Sequence, residues 1–296
     1  MLAIVIPYYK KSYFESALES LKLQSNKNFK VYIGDDASSE NPDLILKKYK
    51  GDLDFTYKKF DENLGSKSLT QQWKRCLALV KDEEWVMILG DDDVLGVNVV
   101  EEFYKAIDEV NKINCNVIRF ATQKIDKEGL IISDTYHHPF IEKSTTFLAR
   151  MYSGQARSSL SEYIFNFNLL KEKGIIEYPL AWYSDVVLVL EISNFKEVFS
   201  INNAVMKIRI AEDSITGSKK FNKQKEIAEV YFGRYLLKQL YQFEKSERDI
   251  LLTKIEKLFF YNKKAISLGF SILSFYIIKY RFAKAFSFIF STLKSL

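Results

Sequence analysis

Three consecutive carboxylates, Asp91, Asp92 and Asp93, follow the apolar run WVMIL (Trp85 to Leu89) after a single glycine, Gly90. Like charges side by side repel, and at neutral pH all three ionise unless something positive compensates. Carboxylates on a tight turn can converge on a divalent cation. Magnesium or manganese suits such a set, taking one or two carboxylates while water and substrate phosphates fill its other positions. The competing reading makes Asp93 the cap of a helix that starts after Val94. Two more acidic features stand in comparable places. Asp35 and Asp36 close the run FKVYIG (Phe29 to Gly34), and Asp185 precedes the apolar segment VVLVLEIS (Val186 to Ser193). At the start of a helix, Asp185 is favoured by the helix dipole. With a raised pKa it would instead suit a general base.

The elements that hold these residues alternate. LAIVIP (Leu2 to Pro7), FKVYIG, LDFTYKKF (Leu53 to Phe60) and WVMIL read as strands. Between them, helical spacing places Phe14, Ala17, Leu18 and Leu21 on one face, and Leu69, Trp73, Cys76, Leu77 and Val80 on another. A further helix opens at Asn41-Pro42, with the proline in its first turn. Repetition of strand and helix predicts an α/β fold built from βαβ units around a mostly parallel sheet. In such sheets ligands collect at the carboxyl ends of the strands, where all three acidic features are expected. Beyond a helix at 97–111 the pattern is mixed. Residues 117–133 read as two strands around a turn at Lys127 to Gly129, 147–170 is ambiguous, 182–193 is helical and 196–210 reads as two short strands. From Lys220 onward helical patterns dominate without a proline.

Composition excludes several classes. At 296 residues, with 47% apolar and 27% charged side chains, the chain supports a large core. Cys76 and Cys115 are isolated, which argues against a disulfide framework or a cysteine zinc site and fits a reducing compartment. MLAIVIPYYKK reads as a first strand and not a signal peptide, so a cytoplasmic location is expected. The net charge of +5 is concentrated at one end. From Ile250 onward there are eight basic residues and one acid, Glu256, leaving a body close to neutral. No nucleic-acid-binding module is visible. In that tail the longest uncharged run, Ala265 to Ile278, has 14 residues, short of the ~20 a spanning helix needs. Two readings stay open for it: a basic, aromatic helix in the headgroup plane of an anionic bilayer, or a cover for the catalytic domain or a second subunit.

Four segments in order, VIPYYK (Val5 to Lys10), VYIGDDASSE (Val31 to Glu40), NLGSKSLTQQW (Asn63 to Trp73) and ILGDDDVL (Ile88 to Leu95), resemble the family 2 glycosyltransferases, inverting enzymes of the Rossmann-like GT-A fold. The likeness covers about the first 110 residues and extends loosely to about residue 215. It implies a catalytic domain over 1–215, with a nucleotide-binding half (1–110) and an acceptor-binding half (111–215), followed by a helical extension over 216–296. By the same resemblance Pro7 and Tyr9 lie under the nucleotide, and Asp36 accepts a hydrogen bond from the base. Asn63 and Gly65 match an N-x-G motif at the nucleotide, Asp91 lies near the ribose, Asp92 binds the cation, and Asp93 is a second metal-binding acid beside it. Asp185 matches the late acidic base. Arg209, within Lys207 to Ser218, matches a segment that closes over the diphosphate, and Arg157, within Gln155 to Ser161, lies where acceptors bind. There are departures. Gly90 stands in place of the first Asp of D-x-D, Thr70 and Gln71 replace an Arg-Asn pair, Ser184 replaces a first acid, and Lys207 to Ser218 lacks a metal-binding histidine. His137 and His138 are expected in solvent, and Glu191 in a structural role.

The expectation is therefore a Mn2+- or Mg2+-dependent inverting glycosyltransferase. Its donor would be a nucleotide diphosphate sugar, UDP-linked, and its acceptor a hydroxyl of a glycan or lipid-linked glycan in bacterial surface polysaccharide synthesis. A catalytically impaired nucleotide-sugar-binding or scaffold protein is the alternative. A sugar nucleotidyltransferase needs a glycine-rich basic loop, and VIPYYKKSYF has no glycine. A membrane adaptor would rest on the tail alone.

Overall fold

The computed structural model describes residues 1–211, 215, 217–262 and 265–295. Its first part alternates as the periodicity predicts: β1 (Leu2–Tyr8), α1 (Phe14–Lys22), β2 (Phe29–Asp35), α2 (Asp43–Tyr49), β3 (Phe55–Lys59), α3 (Leu69–Leu77) and β4 (Trp85–Ile88). There follow β5 (Val94–Leu95), α4 (Val99–Lys112), β6 (Val117–Ile125), β7 (Ile141–Lys143), α5 (Ser144–Tyr152), β8 (Tyr163–Asn166), α6 (Phe167–Lys173), α7 (Ser184–Ile192) and β9 (Glu197–Arg209). The chain ends in α8 (Asn222–Gln239), α9 (Lys245–Tyr261), α10 (Ile266–Ile278) and α11 (Phe282–Ser295).

Among the described residues the strands form one sheet in the order β3-β2-β1-β4-β8-β6-β9-β5, with β7 on β9. β1 pairs in parallel with β2 and β4, and β2 with β3. Side chains alternate across a strand. Leu2, Ile4 and Ile6 therefore join the core with α1, α2 and α4, while Ala3 and Val5 join the one with α3, α6 and α7. Helices on both faces explain why β1 and β4 are apolar throughout.

Three expectations change. Residues 196–210 form one strand, β9, not two. Its pairing with β6 jumps from Phe120–Ile201 to Ala121–Val205, so the polar Asn202-Asn203 pair is absorbed as an irregularity within one strand. Residues 130–133 make no second strand, only a bridge between Ile125 and Ile131. Leu130, Ile131 and Ile132 are each more than half exposed there and have no core to join. The ambiguous 147–170 resolves into the end of α5, then β8 and the start of α6, and β8 inserts antiparallel between β4 and β6.

The first two C-terminal helices pack on the body. Phe232 and Leu236 of α8 and Leu251 and Ile255 of α9 share a core with Leu148 of α5 and Val187 and Leu190 of α7. The Tyr235 hydroxyl donates to Glu191 at 2.5 Å, and that of Thr146 donates to Glu247 at 2.6 Å. Glu191 is structural, as expected. Among the described residues no helix is long and apolar enough to cross a membrane.

Candidate active site

β4 ends beside β1, and Gly90 begins the acidic corner. The Gly90 amide donates to Ser161 Oγ at 3.0 Å, and the Asp93 amide donates back to the Gly90 carbonyl at 3.3 Å. A Cβ on residue 90 would lie 2.9 Å from Asp92 Oδ1 and 3.1 Å from Asp93 Oδ2. That crowding is the physical reason for a glycine where the family motif carries an aspartate: a side chain would push two carboxylates aside.

The three acids then diverge. Asp91 Oδ2 accepts from the Tyr9 amide at 2.8 Å and the Lys10 amide at 2.9 Å. It thereby ties the end of β1 to the end of β4 and leaves the Tyr9 side chain in solvent. Burial pushes the Asp91 pKa up to about 7, the charge of Asp92 adds to the rise, and the two amides pull it back. Asp93 is buried. Its Oδ2 accepts from Ser161 Oγ at 2.5 Å and its Oδ1 from the Arg209 amide at 2.9 Å. Both carboxylate oxygens of this expected second metal ligand are thus engaged by protein donors. Asp93 does not cap a helix, since α4 starts later with Asn98 at its N-cap.

Adjacent Asp91 and Asp92, repelling each other at the carboxyl end of a parallel strand, fit a divalent cation that keeps water and phosphate oxygens in most of its shell. Among the described residues no group of three or more His, Cys, Asp or Glu gathers as a metal site. This chain's share of such a shell would accordingly be one or two carboxylates.

Along the same edge, Asp35 is fully buried and accepts from the Ser38 amide at 2.7 Å and Tyr57 hydroxyl at 2.6 Å. Asp36 accepts from the Leu64 amide at 2.7 Å, the Gly65 amide at 2.9 Å and the Arg75 guanidinium. Burial raises its pKa, and those donors offset part of the rise. Asn63 shapes the turn by accepting from the Ser66 amide at 2.9 Å. A Cβ on Gly65 would come 2.5 Å from Asp36 Oδ2. Gly65 thus contacts Asp36 directly, while Asn63 holds the turn that carries it. Pro7, opposite Gly34 in the β1–β2 ladder, forms the floor beside them. Arg75 is a partner the sequence reading missed. Its signal was faint, a basic residue on the same helix as Thr70 and Gln71.

Asp185 sits in the first turn of α7, behind a strained approach. Leu180, Ala181 and Tyr183 have φ of 60°, 54° and 72°, a region that costs non-glycine residues energy unless surrounding packing holds it. The Tyr183 ring stacks on Phe232 of α8 at 4.4 Å, so α8 buttresses the turn that leads into Asp185. Burial raises the Asp185 pKa. The amides of Val186 and of Asp185 itself, the charge of Arg157 and the Ser158 hydroxyl pull it down. Ser158 Oγ also meets the Tyr163 hydroxyl at 2.8 Å.

Glu162, unforeseen from the sequence, is completely buried beside them. Its Oε2 pairs with Arg157 Nη1 at 3.5 Å, its Oε1 has no hydrogen-bond partner, and burial drives its pKa up to about 8.

The two arginines differ. Arg157 is held by Thr122 Oγ1 at 2.9 Å and Glu162, on the Asp185 side. Arg209 does not offer itself to phosphate. It is 5% exposed, with Nε on the Asp92 carbonyl at 3.0 Å and Nη1 on the Asp126 carbonyl at 2.7 Å. Four residues of the segment expected to close over the diphosphate, 212–214 and 216, lie outside the described residues. His138 is not in solvent as expected. It is 5% exposed, and burial together with Arg119, Arg150 and Arg157 pushes its pKa down to about 3.

Comparisons with known proteins bear on the family and the fold. A model of the family described as Glycosyl transferase family 2 matches residues 3–164. An uncharacterized glycosyltransferase of Haemophilus influenzae is 26% identical over 199 residues, covering 61% of this chain and 65% of that protein. The chain thus spans a little under two thirds of that relative. Staphylococcus aureus TarS (residues 1–349), solved in complex with UDP, superposes with a TM-score of 0.62 at 17% identity, over 87% of this chain and 71% of TarS. The mannosyltransferase PcManGT of Pyrobaculum calidifontis, solved with GDP-Man and Mn2+, superposes with a TM-score of 0.54 at 12% identity, over 99% and 83%.

Proposed function

The chain belongs to glycosyl transferase family 2, and on that premise we propose that it is a metal-dependent inverting glycosyltransferase. Its donor is a UDP-linked hexose or N-acetylhexosamine. Its acceptor is a hydroxyl of a glycan or lipid-linked glycan in bacterial surface polysaccharide synthesis, met at the cytoplasmic face of the membrane. The fold likeness to TarS, solved with UDP, supports the choice of nucleotide, and the bacterial relative supports the setting.

One observation carries the reading. Ser161 is bonded to the acidic corner, and the Ser158 hydroxyl, three residues earlier, is among the groups that pull the Asp185 pKa down. Three residues of chain reach at most about 10 Å. That closeness supports a reading in which the acidic corner holds the donor and Asp185 serves as the base.

In this reading Asp36 and Tyr9 receive the base, and Asp91 lies near the ribose. Asp92, with Asp91 beside it, would hold the cation, which when bound neutralises charge on the departing diphosphate. Asp185 takes the proton of the acceptor hydroxyl as its oxygen forms the bond to the anomeric carbon and the bond from that carbon to the diphosphate oxygen breaks. A single displacement inverts that centre. Arg157 supplies positive charge on the acceptor side, and Asp93 and Arg209 brace the corner.

The test is UDP release from a panel of UDP-sugars with Mn2+. The wild type turns over at least one donor and chelator stops it, whereas Asp92→Asn weakens the metal requirement's half-saturation at least tenfold. A wild type that binds UDP-sugars and turns over none with any glycan acceptor would be a scaffold instead.

A further inference from the structure

α11 has three faces, one more than a helix packed on a soluble body needs. Its inner face is covered: Ala285 and Phe288 are buried, and the Phe288 ring lies 5.1 Å from that of Phe259. A polar face carries Lys284, Ser287, Ser291 and Lys294. The third face is apolar and open. Phe282, Phe286, Phe290 and Leu293, spaced by four, four and three, are each more than half exposed, Phe286 at 73%.

α10 repeats the arrangement. Leu268, Ile272 and Tyr276 face the core, while Ile266, Phe270 and Ile277 face outward, Phe270 at 67% exposure. A groove of about 410 Å3 joins the two outer faces, lined by Phe270 and Leu273 on one side and Ile289 and Leu293 on the other.

Charge indicates what covers this surface. From Lys257 to the end of the chain there are seven lysines and arginines and no aspartate or glutamate. Lys279 and Arg281 flank the turn between the helices, with Tyr280 82% exposed between them. Exposed aromatic and aliphatic side chains beside cations match the boundary between acyl chains and anionic headgroups. A second copy would bring the same wholly cationic segment against itself. Spanning is excluded for α10 by length: 13 residues rise about 20 Å, against a hydrocarbon core of about 30 Å.

We propose that the outer faces of α10 and α11 dock on the anionic surface of a lipid bilayer, with both helices lying in the headgroup plane.

The test is co-sedimentation of the full-length protein with vesicles of phosphatidylcholine alone and of phosphatidylcholine with phosphatidylglycerol. The protein binds the anionic vesicles several-fold more strongly, and salt weakens that binding. The pair Phe286→Ser and Phe290→Ser lowers partition about tenfold or more with melting temperature and UDP binding unchanged, since both side chains are exposed. Lys284→Glu with Lys294→Glu removes the preference for anionic vesicles. No binding of the wild type to anionic vesicles at low salt overturns the proposal, as does binding that survives loss of both phenylalanines. A dimer in light scattering that the phenylalanine pair splits, with no vesicle binding, assigns the surface to a second copy. UDP binding measured alongside separates these outcomes from failure of the glycosyltransferase reading.

Discussion

Ser161 donates its hydroxyl proton to Asp93 at 2.5 Å while accepting from the Gly90 amide at 3.0 Å. One side chain thus ties the loop before β8 to the corner after β4. Ser158, three residues earlier, helps pull the Asp185 pKa down. In the proposed reading this short stretch of chain joins the donor side to the acceptor side, and the consequences can be tested residue by residue.

Asp185→Asn removes a base without changing its size. Turnover falls about 10²- to 10⁴-fold, and affinity for the UDP-sugar stays within a factor of about two because the residue stands on the acceptor side. Steady-state UDP release and calorimetric donor binding, measured on the same preparation, check both halves. An equal loss in each would remove Asp185 from the reaction.

Gly65→Ala places a methyl group 2.5 Å from Asp36 Oδ2. Something must shift, and overpacking of this kind costs about 1–3 kcal/mol. UDP affinity falls tenfold or more while the far-UV spectrum stays native. Binding unchanged from wild type would show that Asp36 does not recognise the nucleotide.

Arg209→Ala separates a brace from a phosphate ligand. It removes hydrogen bonds to the part-buried carbonyls of Asp92 and Asp126, each worth about 0.5–1.5 kcal/mol, so the melting temperature drops by a few degrees. The wild-type response of donor affinity to salt persists, because no phosphate contact is lost. A variant of full stability but poor donor affinity contradicts the brace.

Glu162 sets a pH dependence of stability. Its carboxyl is raised from 4.5 to about 8 in the fold. Between those values the unfolded chain has lost a proton that the native chain keeps, so stability declines as pH rises through this window. Above about 8 both states are ionised and the penalty is constant. Glu162→Gln, neutral at every pH, flattens that decline. Chemical denaturation at pH 5, 6.5 and 8 measures it, and identical slopes for the two proteins would mean the group titrates normally.

Much was legible without coordinates because it is local. β1 to β4, their helices and the acidic ends of β2 and β4 follow from periodicity within windows of a dozen residues, since burial on two faces demands continuous apolar runs. The glycine at position 90 read as a departure from the motif. Only the positions of two neighbouring carboxylates gave it a reason.

What the amino-acid sequence determined by itself was the alternation of elements, the edge of the sheet where charge collects, and the bias of the tail toward cations and aromatics. Tertiary structure decided which charged side chains face the cleft. Arg209 and Asp92 are partners across 117 residues, and Asp36 finds Arg75 across 39. A guanidinium or carboxylate satisfies its hydrogen bonds with whatever the fold brings near, and no local pattern encodes that partner. The same holds for α11, whose inner and outer faces are equally apolar in sequence and are told apart only by what packs against one of them.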